Sequence, residues 1–170
     1  DKGGRESRRV FKNMTLEREA SDLGDLGIVV FSKPRDIRGT ALLTHANIEP
    51  NDDDQWIFLP AVKRVKRISS SNRTGKFVSS EFSYEDFGSQ EVDDYTYKWI
   101  KDEPCPTEPS LTCFVTESYP KNSKSGYSKR ISWTDQNEYR LMKVDFFNRR
   151  GDHEKTLQFL DYQQYLGQYW

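Results

Sequence analysis

Apolar and polar residues alternate along much of this chain with the period of two that is typical of β-strands. The clearest case is the segment 95–99, in which Tyr95, Tyr97 and Trp99 are separated by Thr96 and Lys98. Successive side chains of a strand point to opposite faces of a sheet, so this pattern predicts strands with one apolar and one polar face. Helical periodicity is weak throughout. The sequence therefore predicts a mainly β fold.

Turns rich in glycine, proline, asparagine or aspartate separate most of the segments that have strand character. The predicted strands are residues 10–16, 26–31, 40–45, 56–59, 62–68, 95–99, 111–119, 127–133, 139–147 and 155–162. Strands joined in sequence by short turns form an antiparallel sheet, and a sheet with aromatic residues on one face curls around an apolar interior. Two short helices are predicted as well, over residues 79–87 and 163–166.

The composition supports a thin core built from large rings. Only 34% of the 170 residues are apolar, aromatic residues make up 14%, and the mean hydropathy is −0.91. A core with few aliphatic side chains suits a curved sheet better than a helical bundle. The length fits one domain over residues 1–170, and the net charge of −1 disfavours a nucleic-acid binder that relies on a cationic surface.

The stretch from Asp53 to Phe87 combines aromatic residues with a polar loop. A strand runs from Trp56 to Leu59 and ends or bulges at Pro60, which cannot donate a hydrogen bond to a sheet. Residues 69–76 form a loop of mainly small polar residues. This combination predicts an apolar pocket with a movable rim, although an ordinary aromatic core has the same composition. The side chains predicted to line the pocket are Trp56, Phe58, Phe77, Phe82, Tyr97, Trp99 and Trp133.

A run of cations lies between the strand at Trp56 and the polar loop. Its members are Lys63, Arg64, Lys66 and Arg67. A solvated strand face, a patch that attracts anionic lipid headgroups or an acidic partner, and a nucleic-acid surface all fit this run. The neighbouring acidic residues 52–54 disfavour nucleic acid.

The chain offers little that predicts catalysis. Glu81, Glu85 and Asp86 could supply paired carboxylates for acid–base chemistry, but acidic groups in a polar loop are usually solvated. The two histidines, His45 and His153, have no companions at metal-ligand spacing, and the chain has neither a glycine-rich phosphate loop nor a GxSxG motif. We therefore expect a protein that is not an enzyme and has no catalytic residues, metal or cofactor.

The two cysteines, Cys105 and Cys113, flank a proline-containing segment. Two structures fit this spacing: a disulfide that closes a hairpin, and two unpaired thiols in a reducing compartment. A disulfide closing so short a loop would stabilise the fold by about 2.5 kcal/mol in the chain-entropy model. The spacing is not that of a zinc site.

Several segments together resemble the outer membrane lipoprotein-sorting proteins of LolA-like fold. They are PRDIRGTALLT (34–44), DDQWIFLPAVKRVKRISSS (53–71), FVSSEFSYEDF (77–87), YTYK (95–98) and KTLQFLDYQQYLGQYW (155–170). The resemblance implies an exported, periplasmic protein with an open, incomplete antiparallel β-barrel around a lipid-accepting cavity. It also implies an inner-membrane partner of the RND/MMPL transporter type. Because the periplasm is oxidising, the resemblance favours the Cys105–Cys113 disulfide.

Compared with that family, the chain is expected to lack an N-terminal helix and a C-terminal hairpin and helix. The function implied is a periplasmic carrier, expected to be a monomer, that shelters the acyl chains of lipids or lipoproteins. The alternative is a module that docks onto a membrane transporter and carries no cargo of its own, and a weaker one is an enzyme acting on lipids.

Overall fold

The computed structural model describes residues 6–18, 24–47, 53–88 and 90–169, and the chain forms two compact units, Asp1–Gln90 and Glu91–Trp170. Each unit is built on an antiparallel sheet of five strands that lie side by side in chain order. Neither sheet is closed on itself. The predicted mainly β fold is therefore confirmed. Asp52, which was noted beside the cationic run, lies outside the described residues.

The first sheet begins near the N-terminus and ends at the cationic run. Its strands are β1 (Val10–Leu16), β2 (Leu26–Lys33), β3 (Ala41–His45), β4 (Asp54–Leu59) and β5 (Arg64–Ile68). A 3-10 helix over Pro60–Val62 joins β4 to β5, and further 3-10 helices follow β5 over Ser70–Asn72, Phe77–Ser79 and Tyr84–Phe87. As predicted, β4 ends immediately before Pro60.

Strand β4 shows how alternation divides the first sheet into two faces. Gln55 and Ile57 are buried, whereas Trp56 and Phe58 between and after them remain partly or largely exposed. Ile57 joins a core of Val29, Phe31, Leu42, Phe77 and Tyr84. The Gln55 side-chain amide donates to Thr44 Oγ1 (3.2 Å) and to the Tyr84 carbonyl (2.9 Å), so its buried polar group is satisfied.

The segment after β5 covers this core with aromatic rings. Phe77 is fully buried, and its ring centroid lies 5.1 Å from that of Phe31 and 5.7 Å from that of Tyr84. The turn over Tyr84–Phe87 begins with a capping box, in which the Ser83 backbone N–H donates to Asp86 Oδ2 (2.6 Å). This cap fixes the ring of Tyr84 against the sheet.

The second unit contains the longer strands. They are β6 (Tyr95–Pro104), β7 (Thr112–Pro120), β8 (Tyr127–Asp135), β9 (Leu141–Asn148) and β10 (His153–Gln158), preceded by a 3-10 helix over Val92–Asp94. Direct cross-strand partners share a face of the sheet. One row of partners runs across all five strands in the order Tyr97, Ser118, Arg130, Phe146 and Lys155.

A buried carboxylate organises the turn between β8 and β9. Asp135 Oδ1 accepts hydrogen bonds from the backbone N–H groups of Asn137 and Glu138, and Oδ2 accepts them from the backbone and side chain of Arg140. Burial by itself raises the pKa of Asp135, but these hydrogen bonds outweigh that effect and hold the pKa below its ordinary value. Asp135 is therefore a charged structural anchor.

Both predicted helices are corrected by the structure. Over 79–87 a single helix does not form: Ser79 has a φ of 53°, which interrupts a right-handed helix, and only Tyr84–Phe87 form a 3-10 helix within this range. Over 163–166 it forms the hairpin of β11 (Gln164–Tyr165) and β12 (Gln168–Tyr169). Leu166 and Gly167 have φ angles of 50° and 84°, as a type I′ hairpin turn requires.

Within the described residues, none of the helices has the length and apolar character needed to cross a bilayer.

Candidate functional site

In the first unit, the side chains predicted to line one pocket divide between the two faces of the sheet. Phe77 and Phe82 pack on the face that carries Ile57. Trp56 and Phe58 lie on the opposite face, since they alternate with Ile57 along β4. The prediction that these rings share one concave lining is therefore wrong for the first unit. The period of two, which identified the strand, is what separates them.

The second unit divides its predicted residues in the same way. Tyr97 and Trp99 are on one face of the sheet and are 52% and 61% exposed. Trp133 is the partner of Val115 and lies on the other face, because Trp99 is the partner of Thr116, the next residue along β7. Tyr97 and Trp99 therefore share a face that excludes Trp133. A ligand-binding role for these residues stays a prediction.

Trp133 lies among charged side chains. Its Nε1–H donates to Glu103 Oε1 (2.6 Å), and Lys143 Nζ lies 4.2 Å from the ring centroid. Glu103 is also paired with Lys101 Nζ (2.7 Å), and hydrogen bonds from Lys101 and Trp133 lower its pKa. These contacts give Trp133 a structural role in linking β6, β8 and β9.

Residues from β4, β5 and the segment 69–79 line a groove of about 600 Å³ in the first unit. The volume falls within the range of about 300–1,000 Å³ found for small-molecule pockets. Its aliphatic lining residues are Ile57, Leu59, Ile68 and Val78. The cations that line it are Lys66, Arg67 and Lys76. An apolar floor with a basic rim is an arrangement that complements an amphiphile with a negative end.

The three cations differ in how far they are already neutralised. Arg67 is paired with Asp54, and its hydrogen bond is the main cause that holds the pKa of Asp54 below its ordinary value. Lys76 Nζ lies 3.2 Å from Glu81 Oε2. Lys66 has no ion-pair partner within the described ranges. Lys66 is therefore the groove cation whose charge is most available to a ligand.

Only half of the predicted cationic patch reaches the groove. Lys66 and Arg67 line it, whereas Lys63 and Arg64 are exposed and do not. Lys63 closes the turn after Pro60 in a left-handed conformation, with a φ of 48°. The run is therefore divided between a groove rim and a solvated strand end.

The wall of the groove contains a strained residue. Val78, with φ 49° and ψ 44°, adopts a left-handed conformation that is a genuine outlier for a β-branched side chain. Its neighbours hold it there: Phe77 is buried in the core, and the Phe77 carbonyl accepts hydrogen bonds from the Ser80 backbone (2.9 Å) and Ser80 Oγ (2.6 Å). The strain fixes an isopropyl group at the groove surface.

The polar rim of the groove, residues 69–76, is predicted from the sequence to be movable. In the structure, backbone hydrogen bonds hold it at three positions. Asn72 N–H donates to the Ser69 carbonyl (2.8 Å), Gly75 N–H to that of Asn72 (3.0 Å), and Tyr84 N–H to that of Gly75 (3.1 Å). The rim is therefore tied to the core through Tyr84. A proline at Gly75 would remove one of these donors, so it would lower stability as well as alter the rim.

The candidate acid–base residues have structural contacts instead of a shared site. Asp86 caps the turn at Ser83, Glu81 pairs with Lys76, and Glu85 is buried. The ring of His45 packs against Trp56 at 5.0 Å, and His153 hydrogen-bonds Thr156 Oγ1 (3.0 Å). In the part of the chain that the structure describes, acidic, histidine and cysteine side chains form no cluster able to hold a metal.

The disulfide between Cys105 and Cys113 is present, with the two Cα atoms 5.0 Å apart. It closes the loop between β6 and β7, and both cysteines are buried with Met142 beside Leu111, Trp133 and Tyr162. This part of the prediction is confirmed.

Sequence reasoning missed the aliphatic residues of the groove because it looked for rings. Ile57 stands between Trp56 and Phe58, so the strand pattern itself indicated that the three could not share a face. No sequence signal indicated the conformation of Val78.

Comparison with known proteins places the fold and the family. A family model described as "Uncharacterized protein" matches residues 24–170. One solved structure is of a domain from Vibrio parahaemolyticus that is named for outer membrane lipoprotein sorting. Its sequence is 45% identical to this chain, and the two structures superpose with a TM-score of 0.83. The match covers 96% of this chain and 67% of that one. This chain belongs to the outer membrane lipoprotein-sorting protein family.

Two further solved structures resemble the chain. A DUF1329 family protein from Desulfovibrio piger is 27% identical with a TM-score of 0.84, over 98% of this chain and 70% of that one. A LolA superfamily protein from Nitrosomonas europaea is 20% identical with a TM-score of 0.59, over 93% and 71%, and shows the likeness of fold alone. No curated protein matches the chain. The open, LolA-like β fold expected from the sequence is thus confirmed.

Proposed function

We propose that this protein is a periplasmic carrier that shelters the acyl chains of lipids or lipoproteins. The observation that carries the proposal is the groove of about 600 Å³, whose aliphatic floor meets a cationic rim. Each methylene that leaves water for such a floor contributes about 0.8 kcal/mol, so a chain of several methylenes is held without any polar contact. The rim cations then face the negative end of the amphiphile.

Family membership supports the same function and its compartment. The relative from Vibrio parahaemolyticus is named for outer membrane lipoprotein sorting. The disulfide between Cys105 and Cys113 is compatible with an oxidising compartment.

We also propose that the carrier has no catalytic activity of its own. The carboxylates that could have formed an acid–base pair are engaged in a cap and an ion pair, or are buried. Uptake and release of an acyl chain need no covalent step, since the transfer is driven by differences in apolar surface exposed to water.

We further propose that the carrier is a monomer and that it works with an inner-membrane transporter of the RND/MMPL type. The support for the partnership is the family resemblance together with the exposed surface of β5, the last strand of its sheet, where Arg64 and Val65 are exposed. The same surface supports the second candidate function, a docking module without cargo. Co-purification with the transporter from detergent-solubilised membranes tests the partnership for both.

The test of the carrier function is the lipid that the protein retains. Protein exported to the periplasm is purified without detergent and extracted with organic solvent, and the extract is analysed by mass spectrometry. Wild type is expected to yield bound acyl lipid and to bind a fluorescent fatty acid. Val78→Asp, which places a carboxylate at the groove wall, should retain less of both.

Val92→Asp provides the matched control. Val92 is highly exposed and does not line the groove, so the same chemical change there should leave lipid retention at the wild-type level. Absence of lipid and of probe binding in folded wild type would reject the carrier in favour of the docking module. Hydrolysis of the extracted lipid by wild type would reject the claim that the protein is not an enzyme.

A further inference from the structure

Arg130 lies in the interior of the second unit in an aromatic surround. It is only 4% exposed, and its Cζ atom lies 5.1 Å from the ring centroid of Tyr95 and 5.3 Å from those of Tyr127 and Phe146. Arginine stays charged in proteins, so burial leaves a full positive charge among these rings. Ring faces attract that charge but supply no lone pair to its N–H groups.

Two of the nitrogen atoms of Arg130, Nε and Nη2, are buried and lack a hydrogen-bond acceptor within the described residues. Two other arginines of this unit have hydrogen-bond acceptors. Arg140 Nε donates to Asp135 Oδ2 (2.9 Å), and Arg149 donates from Nε to the Ser125 carbonyl (2.7 Å) and from Nη2 to that of Ser123 (2.8 Å). A buried charged donor without an acceptor is costly, so the unmatched pair on Arg130 needs an explanation.

A second cation shares the same rings. Lys155 Nζ lies 4.9 Å from the centroid of Phe146 and 5.1 Å from that of Tyr127. Phe146 is the direct cross-strand partner of both Arg130 and Lys155, so the two cations flank it on one face of the sheet. Two like charges so placed repel each other, and an anion between them relieves the repulsion.

The acidic side chains that precede β6 do not neutralise Arg130. Asp93 and Asp94 precede β6, and together with Arg130 they influence the pKa of Tyr97, which burial raises. Neither carboxylate forms an ion pair with Arg130 among the described contacts. The charge of Arg130 is therefore not balanced by these two carboxylates.

An apolar surface adjoins the cations on the same face. Tyr97 belongs to the cross-strand row of Arg130, and Trp99 begins the next row, which continues through Thr116, Ser132, Val144 and Leu157. Strands are spaced by about 4.8 Å, so Tyr97 is roughly 10 Å from Arg130 across the sheet. The exposed rings of Tyr97 and Trp99 can thus cover the apolar part of a ligand whose negative end is at Arg130.

We infer that Arg130, assisted by Lys155, binds the oxyanion of an anionic amphiphile, a carboxylate or a phosphate, and that Tyr97 and Trp99 contact its apolar part. The planar guanidinium presents Nε and Nη2 as a fork that matches two oxygens of such a group. The inference rests on the proposed carrier function, to which it adds an anion-binding contact outside the groove of the first unit.

The experiment compares a fluorescent fatty acid with its methyl ester, which has the same chain and no charge. Wild type should bind the acid about tenfold more tightly than the ester, the ratio that corresponds to one charge-assisted contact of about 1.4 kcal/mol. Arg130→Met, which keeps the length of the side chain without the charge, should reduce this ratio to the part that the groove cations contribute. Lys98→Met removes a cation from the opposite face of the same sheet and should keep the wild-type ratio.

The outcomes separate this inference from the carrier function. If wild type binds neither probe, the carrier function fails and the inference fails with it. If wild type binds acid and ester equally, or folded Arg130→Met keeps the full wild-type preference for the acid, the carrier function stands and the oxyanion site is rejected.

A measurement on wild type covers the case in which Arg130→Met does not fold. The Nε–H resonance of Arg130, assigned by nuclear magnetic resonance with the help of Arg130→Lys, should shift when the fatty acid is added and stay in place when the ester is added. An unmoved resonance in the presence of bound acid would overturn the inference. A shift caused by inorganic phosphate alone would identify a free anion as sufficient, and a shift that needs an acylated phosphate would identify a lipid headgroup.

Discussion

Ile57 and Lys66 are direct cross-strand partners on β4 and β5, so an aliphatic and a cationic side chain leave the same face of the sheet side by side. Both line the groove of the first unit. A strand pair of this kind puts an apolar contact and a positive charge about 5 Å apart at their Cβ atoms, which suits the junction between an acyl chain and its headgroup.

Lys66→Met should weaken binding to vesicles that contain an anionic phospholipid. A lysine near an anionic membrane surface contributes about 1 kcal/mol, so we expect roughly a fivefold loss, which shrinks as salt is added. Lys63→Met is the control, because it removes the same charge from the same run outside the groove. Vesicle co-sedimentation measures the effect, and an equal loss in both variants would assign it to net charge alone.

Val78→Asn should separate stability from ligand binding. Asparagine tolerates the left-handed conformation that valine adopts here, so the free energy of unfolding should stay within about 1 kcal/mol of wild type or rise. Binding of a fluorescent fatty acid should fall roughly three- to tenfold, because an apolar wall is lost.

Val78→Ala removes apolar surface without relieving the backbone strain and should be the less stable of the two variants at Val78. Urea denaturation and probe titration test both statements. Unchanged binding in Val78→Asn would exclude this residue from the ligand site.

Trp99→Asp should leave the protein folded and weaken binding of the fatty-acid probe. Trp99 is 61% exposed, so a carboxylate there is not forced into a core. Loss of the ring and the presence of a negative charge both oppose an anionic amphiphile, and we expect about a tenfold weaker complex. Lys98→Asp is the control, because it introduces the same carboxylate on the opposite face of the same strand. A melting curve that collapses in Trp99→Asp would mean that the ring is structural.

The strands could be predicted from the sequence because alternation is local information. The ladder from Tyr95 to Trp99 and the stop at Pro60 both follow from the geometry of an extended chain. The assignment of rings to a common lining failed for the same reason. Trp56 and Ile57 are neighbours in sequence, so at most one of them can face a given side of the sheet.

Two site features were beyond sequence reasoning because they depend on tertiary contacts. The left-handed conformation of Val78 exists only because Phe77 is locked in the core and its carbonyl is held by Ser80. The burial of Arg130 depends on rings from β6, β8 and β9 converging on one point. Neither the backbone propensities of single residues nor the spacing of apolar residues along the chain indicates these contacts.

Asp135→Asn should destabilise the protein at neutral pH by about 2–4 kcal/mol. The amide N–H₂ of asparagine would face the N–H groups that now donate to the carboxylate, and so would lack an acceptor. The folded state holds the pKa of Asp135 below its ordinary value, so the charge stabilises the fold above about pH 3.9, and this contribution is lost as the pH falls through the lower, folded value. The difference from wild type should therefore shrink on acidification.

Urea denaturation at a series of pH values measures this difference. Asp152→Asn, at an exposed turn of the same unit, should change the free energy of unfolding by less than about 0.5 kcal/mol. A pH-independent difference between Asp135→Asn and wild type would show that the charge of Asp135 is not what matters.

The strands of both sheets lie side by side in the order in which the chain is made. Every hydrogen-bonded pair within either five-stranded sheet thus joins neighbours along the chain, so each loop to be closed is short and the entropy cost of closing it is small. A chain that emerges N-terminus first from a ribosome or a translocation pore can complete β1–β5 before β6 has appeared. The first sheet should therefore be able to fold while the rest of the chain is still being synthesised or exported, before the strands of the second sheet are available.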